Sequence, residues 1–283
     1  MYFLRGPEEG LQDIIALSAP YLESRENLSL PSLKAAYQVY LSKQQPEVPA
    51  KFVQHAEFTR DRIWRSELSG WFRSPESRNK TGNSLIASGE TDQAIDEVLQ
   101  GFRVLCQAEP ELAPLFDLAV NHVFVMTEPQ EPGSGSSFDG VGLVYVNPQV
   151  TWTTQDAVEC LTHEFAHTLL YLDAMRHTHH PDYRLLDMPE NEAETAITGR
   201  RRSIFFAFQS FLIAAEILTV RKRHPNICPG VGIHGSTVDI LKTAKNTYDR
   251  CMRHPNLDTL ASPRLKGLLA DAHTRMHEIE QAL

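Results

Sequence analysis

The sequence predicts an α+β fold that is predominantly helical. Three observations predict it. Apolar residues recur at helical spacing over most of residues 1–120 and again beyond residue 154. Only two short stretches, His122–Met126 and Gly142–Asn147, have the β-branched, bounded character of strands. The resulting order is helices, a short hairpin, one long helix and further helices, which is the segregated pattern of α+β folds.

The elements follow in chain order. Leu11, Ile14, Ile15 and Leu17 lie on one helical face, and so do Leu33, Ala36, Tyr37 and Tyr40. Residues 92–107 give a third stripe through Ile95, Val98, Leu99, Phe102 and Leu105. Between them, Ser66–Gly89 is rich in Ser, Gly, Asn, Arg and Lys and reads as a long loop. Glu128–Gly140, rich in Gly, Ser and Pro, reads as a loop or flap joining the two strands of a short antiparallel sheet, and Pro148 closes the second strand. A long helix is expected over 154–175, opened by Thr153 and Asp156 in a capping-box arrangement and ended by His177, His179, His180 and Pro181. Its apolar stripe is Val158, Leu161, Phe165, Leu169 and Leu172. Residues 191–223 are expected to be helix, interrupted near Gly199, followed by amphipathic helices over 237–253 and 264–282. The expected organisation is a helical N-terminal part, 1–120, and a metal-binding part, 121–283, in one compact unit.

Composition narrows the function. The 283 residues carry 27 Lys plus Arg against 36 Asp plus Glu, a net charge of −9. A nucleic-acid binder needs a basic face, so nucleic acid is not the expected partner. The opening MYFLRGPEEG has no apolar core of signal-peptide length, and the most apolar run, Ile204–Leu218, contains Gln209, Ser210 and Glu216 and reads as a buried helix, so no membrane is expected. The four cysteines form no CxxC pair and are expected as free thiols in a cytoplasmic protein.

Chemistry concentrates in His163-Glu164-Phe165-Ala166-His167, an HExxH sequence inside the long predicted helix. Residues four apart share a face one turn apart, so both imidazoles can reach one metal ion, and Glu164 projects beside it. The expectation is a zincin-like active-site helix carrying HExxH beside the short sheet. Two histidines need a third ligand. The HExxHxxGxxH spacing is absent, which leaves Glu192, Glu194 and Glu216 as carboxylate candidates. Arg200, Arg201 and Arg202 offer planar guanidinium groups suited to a carboxylate cosubstrate. Cys160 reads as a small core residue and Trp152 as a packing anchor.

The stretches Gly142–Asn147 (GLVYVN), His163–Asp173 (HEFAHTLLYLD) and Arg200–Glu216 together resemble the HExxH-motif proteins associated with ribosomally made, modified peptides, the α-ketoglutarate-HExxH-type peptide β-hydroxylases. The resemblance spans roughly residues 140–223. It implies Fe(II) held by His163 and His167, 2-oxoglutarate as cosubstrate bound through Arg200, Arg201 or Arg202, O₂ as oxidant, and a β-hydroxylated residue in a precursor peptide, with or without a leader segment. Where family members carry a His after the Arg-containing segment, this chain has Gln209, so the third ligand stays open among Gln209, Glu216, Glu192 and Glu194. The alternative is a zinc metallopeptidase of gluzincin-like type, with Glu164 as general base on a zinc-bound water.

Overall fold

A computed structural model describes residues 1–24, 28–48, 51–59, 88–126 and 133–283. Within them the N-terminal helices are α1 (Tyr2–Arg5), α2 (Pro7–Ser18), α3 (Leu30–Gln44), α4 (Ser88–Ala108) and α5 (Leu112–Ala119). The long helix α6 (Thr154–His177) is followed by α7 (Ile204–Arg223), α8 (Thr237–Met252), α9 (Leu257–Leu260) and α10 (Pro263–Glu280). The strands are β1 (Glu57–Thr59), β2 (His122–Val125), β3 (Gly133–Ser136), β4 (Leu143–Asn147), β5 (Glu192–Glu194) and β6 (Arg201–Ser203). Helix dominates, as the periodicity predicts. The expected loop over 66–89 lies outside the described residues except for its last two positions, which begin α4.

The described residues form two units. One is Pro7–Leu172; the other joins Met1–Gly6 to Asp173–Leu283.

In the Pro7–Leu172 unit, four strands make a sheet in the order β1-β2-β4-β3. The sheet is mixed, which corrects the expected antiparallel hairpin. β2 runs parallel to β4, with His122 opposite Leu143, and only β3 is antiparallel to β4. The reason is that the Gly/Ser-rich segment is itself partly strand. Its GSGS sequence has low strand propensity, yet Gly135 is required there: a Cβ would fall 2.2 Å from the Tyr145 ring. Once β3 fills the antiparallel position beside β4, β2 pairs on the other side in parallel. The helices pack through a chain of aromatic rings. Phe58 of β1 meets Phe102 of α4 at 5.2 Å, Phe102 meets Phe116 of α5 at 4.7 Å, and Phe116 meets Phe165 of α6 at 5.1 Å. The predicted α6 stripe is buried at every position from Val158 to Leu172. The capping box at its start forms as predicted: the Thr153 N–H donates to Asp156 Oδ2 at 2.7 Å and the Asp156 N–H to Thr153 Oγ1 at 3.3 Å.

The other unit is built around α7. This helix is long and apolar enough to cross a bilayer, but 83% of its most apolar window is buried inside the protein. Helices α8 and α10 pack on it. Residues 191–203 depart from the expected helix: β5 and β6 form an antiparallel hairpin, Glu192 opposite Ser203 and Glu194 opposite Arg201. Gly199, with φ of 63°, turns the chain, and helix starts only where Ser203 caps it by accepting from the Phe205 N–H. A pair of three-residue strands is too short to outweigh the helical reading of Glu- and Ala-rich sequence.

Candidate metal centre

Phe165 fixes how the HExxH turn faces. With 100° per residue, packing Phe165 into the aromatic core puts His163 and His167 on the opposite side of α6, about 40° apart around the axis. Their rings lie 4.9 Å apart between centroids. Both are half-buried. Burial holds His167 neutral, lowering its pKa from 6.5 to about 4. Neutral imidazole is the form that ligates metal. Its Nδ1 is sealed from solvent and makes no hydrogen bond among the described residues.

Glu164 is 2% exposed. The Ser134 hydroxyl of β3 donates to its Oε1 at 2.5 Å, while Oε2 has no hydrogen-bond partner among the described residues. Burial raises its pKa to about 7, and the neighbouring hydroxyls of Ser134 and Ser136 oppose that rise. His163 Nε2 lies 3.8 Å from Glu164 Oε1. One turn on, Tyr171 stacks against His167 at 5.7 Å and 24°, and burial raises its phenol pKa. Phe138 packs edge-on against Tyr171 at 5.6 Å. Two imidazoles one turn apart, that of His167 held neutral, and a buried carboxyl suit a divalent cation that accepts N and O donors.

Ser134 and Tyr171 were not legible as site residues. Ser134 sits in a segment that reads as loop, and Tyr171 reads as one more half-apolar helix position. The only available signal for Tyr171 is its i+4 spacing from His167.

The remaining candidates lie in the other unit, and each has a definite local role. Glu216 is 1% exposed and accepts at both oxygens, from the Phe3 N–H at 2.8 Å and the Leu4 N–H at 3.0 Å. It satisfies the orphan amides at the start of α1. Glu192 Oε2 accepts from Arg201 Nε at 3.0 Å, and Glu194 lies 3.4 Å from Arg250. Gln209 is buried, and its Oε1 has no hydrogen-bond partner among the described residues. The Arg202 guanidinium lies 4.8 Å over the Phe206 ring. Arg200 is exposed and takes part in no ion pair among the described residues. In the histidine cluster after α6, His179 Nε2 meets Asp173 Oδ1 at 2.5 Å, and His180 Nδ1 donates to the Leu260 carbonyl at 2.7 Å. Arg264 Nε also donates to Asp173 at 3.1 Å, so this cluster ties the end of α6 to α10. Cys160 is fully buried, and all four cysteines are free thiols. Trp152 is half-buried.

Comparison with known proteins adds no relative: no family model matches the chain, and no curated protein matches it.

Proposed function

We propose that the chain is an Fe(II)- and 2-oxoglutarate-dependent oxygenase that β-hydroxylates a residue of a ribosomally made precursor peptide. The observation that carries the metal is the paired, half-buried imidazoles of His163 and His167, with Oε2 of Glu164 making no hydrogen bond among the described residues beside them. The choice of iron over zinc rests on the resemblance of residues 140–223. Bound to these residues, Fe(II) with 2-oxoglutarate and O₂ supplies the oxidant that places one oxygen atom on a C–H carbon and releases succinate and CO₂.

The chain's own groups do the positioning. His163 and His167 hold the ion. Tyr171, stacked on His167, fixes the plane of that imidazole. Ser134 fixes the Glu164 carboxyl, which orients a ligand or a substrate group. The resemblance assigns the distal carboxylate of 2-oxoglutarate to a guanidinium among Arg200, Arg201 and Arg202, of which Arg200 is the least committed to other partners. Donor availability makes Gln209 the first third-ligand candidate to test, because the carboxylates of Glu216, Glu192 and Glu194 already serve other partners.

A zinc metallopeptidase is the second reading. It is favoured by the Glu164 pKa of about 7, suited to a general base at neutral pH. The test is turnover of the cosubstrate alone. Protein loaded anaerobically with Fe(II), then given 2-oxoglutarate and air, forms succinate, and His163→Ala abolishes it. Succinate at background, with zinc-loaded protein cleaving a peptide mixture in a Glu164-dependent way, moves the assignment to the peptidase.

A further inference from the structure

The Pro7–Leu172 unit holds a groove of about 570 Å³ that the metal centre does not use. One wall is α4, which contributes Gln93, Asp96, Glu97 and Gln100. These lie at i, i+3, i+4 and i+7, a single polar stripe along the helix. The other wall is the turn into α6, with Pro148, Trp152, Thr153 and Thr154. The two walls meet where Gly101 touches Ala157. The volume is that of a site for a few peptide residues.

Its chemistry is one-sided. Among the described residues two carboxylates line it, and no Lys, Arg or His does. Neither Asp96 nor Glu97 is in an ion pair among the described residues, and the nearest support is Gln93 Nε2 donating to Glu97 Oε1 at 2.9 Å. An indole shares the groove with these carboxylates, and Val150 is fully exposed two residues before it. Anionic groups, an aromatic ring and an apolar shoulder match a cationic side chain on an extended peptide: the charge meets the carboxylates, and the alkyl stem lies on the ring.

We propose that this groove docks a Lys- or Arg-bearing segment of a peptide partner. The inference deepens the proposed function, on which its biological meaning rests: the docked segment is the part of the precursor peptide held away from the residue that is modified. The net charge of −9 adds long-range attraction for the same partner.

The test needs no metal. Fluorescence anisotropy is measured for a labelled Lys-Leu-Ser repeat peptide and its Glu-Leu-Ser counterpart against the full-length, metal-free protein. The basic peptide binds and the acidic one does not. The double substitution Asp96→Lys with Glu97→Lys weakens binding at least about tenfold, Asp96→Asn with Glu97→Gln weakens it less, and Trp152→Ala weakens it about two- to fivefold. An equal change of net charge elsewhere on the unit, Glu8→Lys with Glu23→Lys, leaves it unchanged. Equal affinity in the Asp96/Glu97 variants, or an equal loss in the Glu8/Glu23 variant, overturns the docking site. Succinate formation by the iron-loaded Asp96/Glu97 variant stays at wild-type level, so failure of the groove and failure of the oxygenase reading are separate results.

Discussion

Glu164 and Glu216 are both glutamates on long helices, both almost wholly buried, and both raised in pKa by burial. They differ in what their oxygens do. Glu216 spends both on the amides of Phe3 and Leu4, so its burial is compensated and its role is to hold α1. Glu164 accepts from Ser134 at one and makes no direct hydrogen bond at the other among the described residues, beside the imidazoles of His163 and His167 on the same helix. An unpaired buried polar atom costs about 1–3 kcal/mol. The contrast marks Glu216 as a structural carboxylate and leaves Glu164 with an oxygen free to serve a ligand.

Substitutions sharpen that contrast. The largest effect is expected at Glu216. Glu216→Ala leaves two amides unpaired and opens a cavity, and urea unfolding should show a loss of about 2–5 kcal/mol. Metal affinity of the fraction that stays folded should match wild type. Equal stability in this variant would break the comparison.

Asp173 comes next. It is held by His179 and Arg264, and Asp173→Asn should cost about 2–4 kcal/mol. These partners hold its carboxyl well below the usual carboxylate range, so its contribution is fully present above the unfolded pKa of about 3.9 and is lost as pH falls through the lowered folded value. Acid denaturation should therefore begin at higher pH in Asp173→Asn than in wild type.

Glu164 should respond with the opposite sign. Its folded pKa of about 7 lies above the unfolded value of about 4.3, so the metal-free protein loses stability from this group as pH rises from about 4.3 through about 7. Glu164→Gln should gain stability relative to wild type across that window, measured by thermal unfolding in chelator. A pH-independent difference would show that Glu164 is not desolvated as described. The smallest effects are expected at the arginines. Single Arg200→Ala, Arg201→Ala and Arg202→Ala substitutions should leave stability within about 0.5 kcal/mol, while at least one weakens 2-oxoglutarate binding about tenfold or more. Unchanged affinity in all three would remove the arginines from the site.

Local patterns in the sequence carried α6 well. The capping box, the Val158–Leu172 stripe and the placing of His163 and His167 opposite that stripe depend on neighbours within a turn or two. What was not legible depends on distant or weak signals. β3 is Gly and Ser, which read as loop, and its strand state comes from pairing with β4. Parallel pairing of β2 with β4 leaves no mark on either strand. The 192–203 hairpin is too short for a strand period to outweigh its helix-forming residues. Glu216 looked like a ligand because nothing near it in sequence says that its partners are residues 3 and 4. Ser134 escaped for the same reason: its bond to Glu164 spans thirty positions.

The most direct measurement is anaerobic titration of Fe(II)-loaded protein with 2-oxoglutarate, watching for the visible metal-to-ligand absorption band of a chelated keto acid. The expected result is a saturable band in wild type that His163→Ala and His167→Ala each abolish and Glu8→Lys leaves intact. No band in wild type, or a band that survives both histidine substitutions, would contradict a metal centre on α6.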